Sequence, residues 1–203
     1  MISVQQIEVM NFKHAIRGMR NPMSSWDLSD SDLDEQGNYR LGPNDLKLAS
    51  KLCAAGSDHR KFLRQIIVSM DINAPLYWWK EFDTYKVATV ANSTSTMHKI
   101  HAKPFELQDF STDHMNEISV QMMEQVIGLL EELRQEFLKT KDKQCWYSMI
   151  QLLPSSYHQL RTCTLNYETL RNIYSSRKHH KLKEWHDFCE IVESLPYAAE
   201  FIQ

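Results

Sequence analysis

The residues able to do chemistry in this chain are arginines, aromatic rings and histidines, and they gather in three places. In AIRGMRNP, Arg17 and Arg20 stand three residues apart around Gly18. On a helix start or tight turn they share a face and can clamp a phosphate, because guanidinium forks match phosphate oxygens. Two solvated arginines are the plain alternative. In LYWWKEFDTYK, Tyr85 and Lys86 follow Tyr77, Trp78 and Trp79. Aromatic faces stack bases, and a cation beside them meets a phosphate. The same rings commonly fill cores and interfaces, yet three consecutive rings cannot all face one core. The third place is the run Arg177-Lys178-His179-His180-Lys181-x-Lys183, the strongest local positive patch. It can draw an anion into a cleft, or be a solvated helix end favoured by the dipole. His179, His180, His186 and Cys189 invite a zinc reading, but no CxxC or HxxxH frame arranges them. There is no Walker loop, GxGxxG, GxSxG or HExxH, and five glycines leave little material for a backbone phosphate cradle.

The chain around these residues has 203 positions, 42% of them hydrophobic, enough for a core in a single domain over 1–203 and too many for wholesale disorder. A net charge of −3 gives no global basic field for nucleic acid or an anionic membrane, so neither is an expected partner. No apolar run reaches the roughly 18 residues of a membrane span, and MISVQQIEVMNF lacks the features of a signal peptide. The four cysteines, Cys53, Cys145, Cys163 and Cys189, are scattered. Free thiols in a reducing, cytoplasmic setting follow.

The elements expected to position the chemistry are mostly helices. Residues 2–12 and 66–72 read as strands, and 156–163 as strand or extended chain. Residues 27–43, with five carboxylates and two glycines, read as an acidic surface loop. A helix follows Asn44 or Asp45 and ends at Gly56, and a second is expected from Ser57 or Asp58. For 76–90 periodicity does not separate helix from strand. Residues 91–99 are small and polar, a loop by composition. The clearest helix is 114–140, with a stripe of Ile118, Met122, Val126, Leu129, Leu133 and Phe137. Helices are also expected from Cys145 to before Pro154, over 166–178, and over 182–194. The class is α+β, helix-rich, with a small antiparallel sheet.

Two blocks of this sequence carry a resemblance. HRKFLRQIIVSMDINAPLYWWKEFDTYK (59–86) and TLNYETLRNIYSSRKHHKLKEWHDFCEI (164–191) resemble the flavin-dependent thymidylate synthases. That family has a His-x-x-x-Phe-Glu-like helix, a strand ending in Ala-Pro or Ile-Pro, and an aromatic helix ending in Arg-Gln-x-x-Arg-His-Arg. A loop Asn-Glu-x-Ser-x-Arg-Tyr and a later Leu-Asn-Ala-Arg-x-Leu block follow. Here Ala74-Pro75, Ser95, Asn166, Leu170, Arg177 and Trp185 stand at matching places. The resemblance implies that Arg177 faces a pyrimidine or phosphate, Asn166 a ring edge and Ser95 a phosphate oxygen. His59 and Glu81 fall within the implied ligand set, beside Tyr85, Lys86, Arg17 and Arg20. Read without the resemblance, Arg177 is a surface helix residue and Asn166 a helix cap.

The departures matter equally. Arg-His-Arg reads Thr84-Tyr85-Lys86, Arg-Gln reads Lys80-Glu81, and the loop's Glu and Arg read Ser93 and Met97. In the family those residues hold flavin and the deoxyuridylate phosphate, and Thr and Met cannot replace a guanidinium fork. The expectation is therefore a nucleotide-binding protein of this fold, without catalysis and without a cofactor, that sequesters or senses a nucleotide. A small phage-like protein soaking up a signal nucleotide fits. The competing expectation is an enzyme methylating dUMP with FAD and NADPH. The resemblance further implies a homo-oligomer, a tetramer with sites across subunits, in which the 114–140 stripe is a candidate interface.

Overall fold

The computed structural model describes residues 1–203, and these fall into two compact units. The first comprises 1–3, 72–84 and 92–162; the second comprises 4–71, 85–91 and 163–203. The elements are β1 (Ser3–Met10), α1 (Phe12–Met19), β2 (Asp32–Leu33), β3 (Tyr39–Arg40), α2 (Pro43–Ala54), β4 (Ile67–Pro75), α3 (Leu76–Phe82), β5 (Val90–Ser93), α4 (Glu117–Thr140), α5 (Lys143–Leu152), β6 (His158–Asn166), α6 (Tyr167–Arg177), α7 (Lys183–Glu193) and α8 (Ala198–Phe201). The expected helix-rich α+β class with a small antiparallel sheet is what the chain forms. The sheet has the order β1-β4-β6-β5.

β4 alternates as a strand covered on one face should: Val68, Met70, Ile72 and Ala74 are buried and the residues between them half-buried. Its partner β6 runs antiparallel. Tyr167 donates its N–H to the Ile66 carbonyl at 3.0 Å, the Ser69 and Thr164 hydroxyls meet at 2.9 Å, and Leu76 donates to the Tyr157 carbonyl at 3.0 Å. One strand's numbers rise as the other's fall. β5 corrects the expectation of a loop over 91–99: Val90–Ser93 pair at the sheet edge with every residue exposed, so no alternation marks them.

In the first unit, α3 settles the ambiguity of 76–90 with a short helix followed by turns. Trp78 and Trp79 are buried to 0% and 1% exposure. Trp78 stacks on Phe82 at 5.1 Å, and the Trp79 indole N–H donates to the Gln159 carbonyl at 2.9 Å. Neither tryptophan is a base platform; the core took both. α4, capped by Asn116 accepting from Ser119 N–H, turns through Lys141 in the left-handed region into α5. The apolar stripe divides. Val126, Leu133 and Phe137 pack with Ile127, Leu130 and Met149, while Ile118, Met122 and Leu129 stay exposed. Buried Arg134 is held by both carboxylate oxygens of Glu131, at 2.7 and 2.6 Å. That bond, with those from Gln135 and Phe105, outweighs burial and takes the Glu131 pKa down to about 2.

In the second unit, Phe12 of α1 meets Tyr167 and Tyr197 edge-on at 5.7 and 5.6 Å, and Phe62 meets Phe201 at 5.6 Å. The helix expected from Ser57 is instead a 3₁₀ turn over Lys61–Gln65. The acidic stretch 27–43 is anchored, with β2 and β3 paired in a small hairpin. Asp45 of α2 is wholly buried. Its carboxylate accepts from Arg20 Nε at 2.5 Å, from the Ser29 and Ser31 hydroxyls at 2.7 and 2.6 Å, and from the Asp30 and Ser31 N–H groups at 3.2 and 3.1 Å. In return the Asp30 carboxylate caps α2 from outside it, accepting from Asn44 and Asp45 N–H at 2.9 and 3.0 Å. Gly42 makes this approach possible: a Cβ there would meet Asp30 at 2.3 Å.

Removing the Asp45 carboxylate leaves the Arg20 guanidinium buried without its counter-charge. Asp45→Ala is expected to cost about 3–5 kcal/mol, the range for breaking a buried ion pair from one side. Burial alone would raise the Asp45 pKa, but bonds from Ser31, Ser29 and Arg20 outweigh it and hold the carboxyl below its ordinary value. A carboxyl depressed on folding stabilises above its unfolded pKa, and that contribution is lost as pH falls through the folded pKa. The melting-temperature gap between wild type and Asp45→Ala should therefore be wide at neutral pH and narrow below about pH 4, where the unfolded carboxyl takes up its proton. Melting curves at both pH values check this; an equal gap would mean that Asp45 does not carry the pair's stability.

Candidate functional site

The second unit brings Arg177 and Tyr85 together across 92 residues of sequence. Arg177 closes α6, whose first turn is capped by the Asn166 side-chain Oδ1 accepting from Thr169 N–H at 2.9 Å. Arg177 Nε–H donates to the Tyr85 hydroxyl at 2.8 Å. Its guanidinium carbon lies 4.7 Å from the Trp185 ring centre and 5.5 Å from that of Tyr85. The two rings stand edge-to-face at 6.2 Å. Trp185 belongs to α7 and is fully buried, so it gives the half-buried guanidinium a fixed apolar floor. Arg177 is held in place by stacking and hydrogen bonding together.

The rest of the basic run is more loosely placed. Lys178 lies over the Tyr174 ring at 5.5 Å, and the His180 ring stands 6.3 Å from Trp185. His179 and Lys181 are exposed, while Lys183 is paired with Asp187. His186 contacts the His180 carbonyl through Nε2 at 2.6 Å. No cluster of three His, Cys, Asp or Glu side chains able to hold a metal exists. Cys189 is buried, and burial lifts its thiol to about 11, as it does that of Cys53. Both are therefore protonated thiols at neutral pH rather than nucleophiles.

The remaining sequence candidates separate. Asn166 and Arg177 sit at opposite ends of α6, about 16 Å apart along its axis at 1.5 Å per residue. Asn166 is a cap, as its type allows. Lys86 is exposed beside Tyr85, and His59 is exposed next to Arg60, which pairs with Glu168 at 2.9 Å. Arg17 and Arg20 form no clamp. Arg17 is exposed over the Trp26 ring at 5.6 Å, whereas Arg20 is buried on Asp45. In the first unit, the Ser95 hydroxyl accepts from Met97 and His98 N–H at 3.2 and 2.9 Å, closing a turn. Glu81 is half-buried on α3, and its carbonyl accepts from the Thr84 hydroxyl at 2.7 Å.

Two threonines had no signal in the sequence. The Thr169 hydroxyl donates to the Val87 carbonyl at 3.2 Å and so tethers the segment after Tyr85 to α6. The Thr89 hydroxyl is buried in the same segment without a partner. Only a known register between 85–91 and α6 would have marked either residue.

The fold defined by these elements is that of the flavin-dependent thymidylate synthases. The chain superposes on thymidylate synthase X from Helicobacter pylori with FAD and dUMP, with TM-score 0.77 and 18% identity over 99% of this chain and 97% of that one. A second structure of the H. pylori enzyme with FAD and dUMP gives 0.73 at 17% identity, over 97% and 98%. A UMP/dUMP methylase from Streptomyces cacaoi bound with 5-Br dUMP gives 0.67 at 16% identity, over 96% and 89%. No protein-family model matches the sequence. No curated protein matches it either.

The local geometry yields a stability ordering. Tyr85→Phe deletes one half-exposed hydrogen bond and should cost about 0.5–1.5 kcal/mol. Arg177→Ala also loses the Trp185 stack and should cost about 1–3 kcal/mol. Urea denaturation of both variants reads the difference; equal losses would mean that the stack on Trp185 contributes nothing.

Proposed function

We propose that the protein binds a nucleotide through Arg177 and holds it without thymidylate chemistry, so as to sequester or sense it. The observation that carries this reading is the combination at Arg177 and 84–86. The arginine that the resemblance assigns to pyrimidine or phosphate is present and braced between Tyr85 and Trp185. The family's flavin-holding Arg-His-Arg is replaced by groups that are engaged inside the protein. The Thr84 hydroxyl is bonded to the Glu81 carbonyl, and the Tyr85 hydroxyl accepts from Arg177. Lys86 alone of the three offers a cation, and one ammonium does not reproduce two guanidinium forks on a diphosphate. These residues do not fit a flavin.

A braced guanidinium suits capture. Its geometry is set before the ligand arrives, so less ordering entropy is lost on binding. Lys178 and Lys181 follow it in sequence and add positive charge to the approach of an anion.

Purified protein is expected to be colourless, without the visible bands of bound flavin. Calorimetric titration with dUMP, UMP and a purine nucleotide panel should show saturable binding. Arg177→Lys keeps the charge but loses the fork, so it should weaken binding by about 1.5–3 kcal/mol, the range for hydrogen bonds to charged groups. Undiminished binding by Arg177→Lys would mean that Arg177 does not carry the site. Flavin recovered at one per subunit would support the FAD- and NADPH-dependent methylation of dUMP instead.

The reading includes self-association into a tetramer. What supports it on this chain is the part of α4 left uncovered, where Ile118, Met122 and Leu129 are 76%, 57% and 45% exposed at spacings that share one helix face. Light scattering at micromolar concentration is expected to give a mass above one chain, reduced towards one chain by Met122→Glu. A wild type at the mass of a single chain refutes it.

A further inference from the structure

A cavity of about 600 Å³ opens in the second unit among residues that the Arg177 site does not use. Its apolar wall is made of Phe12, Tyr39, Pro196 and Tyr197, and two cations, Lys13 and Arg40, stand in its lining. The wall is built in advance. Phe12 is buried and packs edge-on against Tyr197, which leans on Phe201 at 5.8 Å. The Tyr197 hydroxyl accepts from Leu41 N–H at 3.0 Å, fixing the hairpin's exit to the segment that carries Tyr197. The hairpin turn is fixed in its turn by Asp34, whose carboxylate accepts from Asn38 N–H at 2.8 Å and from Arg40 Nε at 2.9 Å.

We propose that this cavity is a second ligand site, for a small aromatic phosphate of nucleoside-monophosphate size. The volume lies in the range of small-molecule sites, and such sites combine apolar walls with a few polar groups that orient the ligand. Three rings in the lining offer faces and edges to a planar base. Lys13 supplies the charge for the phosphate. Arg40 keeps its Nε on Asp34, so the pair is close to neutral, while Lys13 has no acidic partner within its own helical turn. The first turn of α1 adds to this without defining it: no side chain caps it, because the Asn11 amide is turned away to donate to the Gln65 carbonyl at 2.9 Å. A ring without an anion would leave Lys13 unmatched, and an anion without a ring would leave the aromatic wall open.

The test weakens the Arg177 site first. Phenyl phosphate, UMP and AMP are titrated into full-length Arg177→Lys, with inorganic phosphate as the probe lacking a ring. Saturable binding is expected for at least one ring-bearing probe, at least tenfold tighter than inorganic phosphate. Adding Lys13→Glu, at an exposed position that folding tolerates, should weaken it at least tenfold, and adding Tyr39→Ala should do the same. Absence of saturable binding in Arg177→Lys overturns the proposal, as does binding unchanged by Lys13→Glu, or phosphate binding as tightly as the ring-bearing probes. Titration of Lys13→Glu alone reads the Arg177 site separately, so each assignment can fail while the other stands.

Discussion

The antiparallel pairing of β4 with β6 is the constraint from which the placement of the helices follows. Each strand passes into its helix without a loop: Pro75 precedes Leu76 of α3, and Asn166 precedes Tyr167 of α6. Register in a strand pair is quantised, and a slip by one residue turns every side chain to the other face. With Ile66 opposite Tyr167 and Ser69 opposite Thr164, the start of α6 is fixed to within a residue. A rise of 1.5 Å per residue then fixes where Arg177 emerges. Asn166 serves that geometry as a cap, satisfying a helix N–H that would otherwise be buried without an acceptor.

At the far end of α6 a second constraint applies. A guanidinium half-removed from water must meet compensating groups. Trp185 supplies an electron-rich face, and Tyr85 a hydroxyl oxygen that accepts. Tyr85 stands where the resemblance implies a histidine. It adds a hydroxyl able to hold the arginine that the resemblance assigns to the nucleotide. Arg177 and Tyr85 are thus placed as a pair, the guanidinium stacked on Trp185 and its direction fixed by the Tyr85 hydroxyl.

Much of the fold was legible in the sequence because it is periodic. α4 and β4 follow from apolar spacing and β1 from its Ile and Val content, and their bounds, like those of α6 and α7, shift by only a few residues. What was not legible depends on tertiary partners. β5 is a four-residue exposed edge strand, Val90–Ser93, with no buried face, so its hydrogen bonds are the only mark it has. The 3₁₀ turn at Lys61–Gln65 contains helix-forming residues, yet it is too short to leave a period. Trp78 and Trp79 are consecutive, and burying both requires a helix corner surrounded by packing, which a one-dimensional pattern does not display. Arg20 and Asp45 look like any surface arginine and any first-turn acid until the chain between them folds back. The Arg177–Tyr85 contact spans 92 residues, and only the family resemblance brought the two positions into one candidate set.

The acidic stretch shows how far composition can mislead about order. Five carboxylates over 27–43 predict mutual repulsion and solvation. Two of them are drawn out of that pattern, because each finds backbone donors that need an acceptor. Asp30 accepts from the first turn of α2, and Asp34 accepts from the hairpin turn. Asp45 then takes Ser29, Ser31 and Arg20 onto one buried carboxylate. Hydrogen bonds to charged acceptors are individually stronger than neutral ones, and several directed at one group order the backbone that carries the donors. The hairpin so ordered brings Tyr39 and Arg40 to the lining of the cavity beside Tyr197. The segment that reads as the least structured in the sequence thus forms one wall of a preformed pocket.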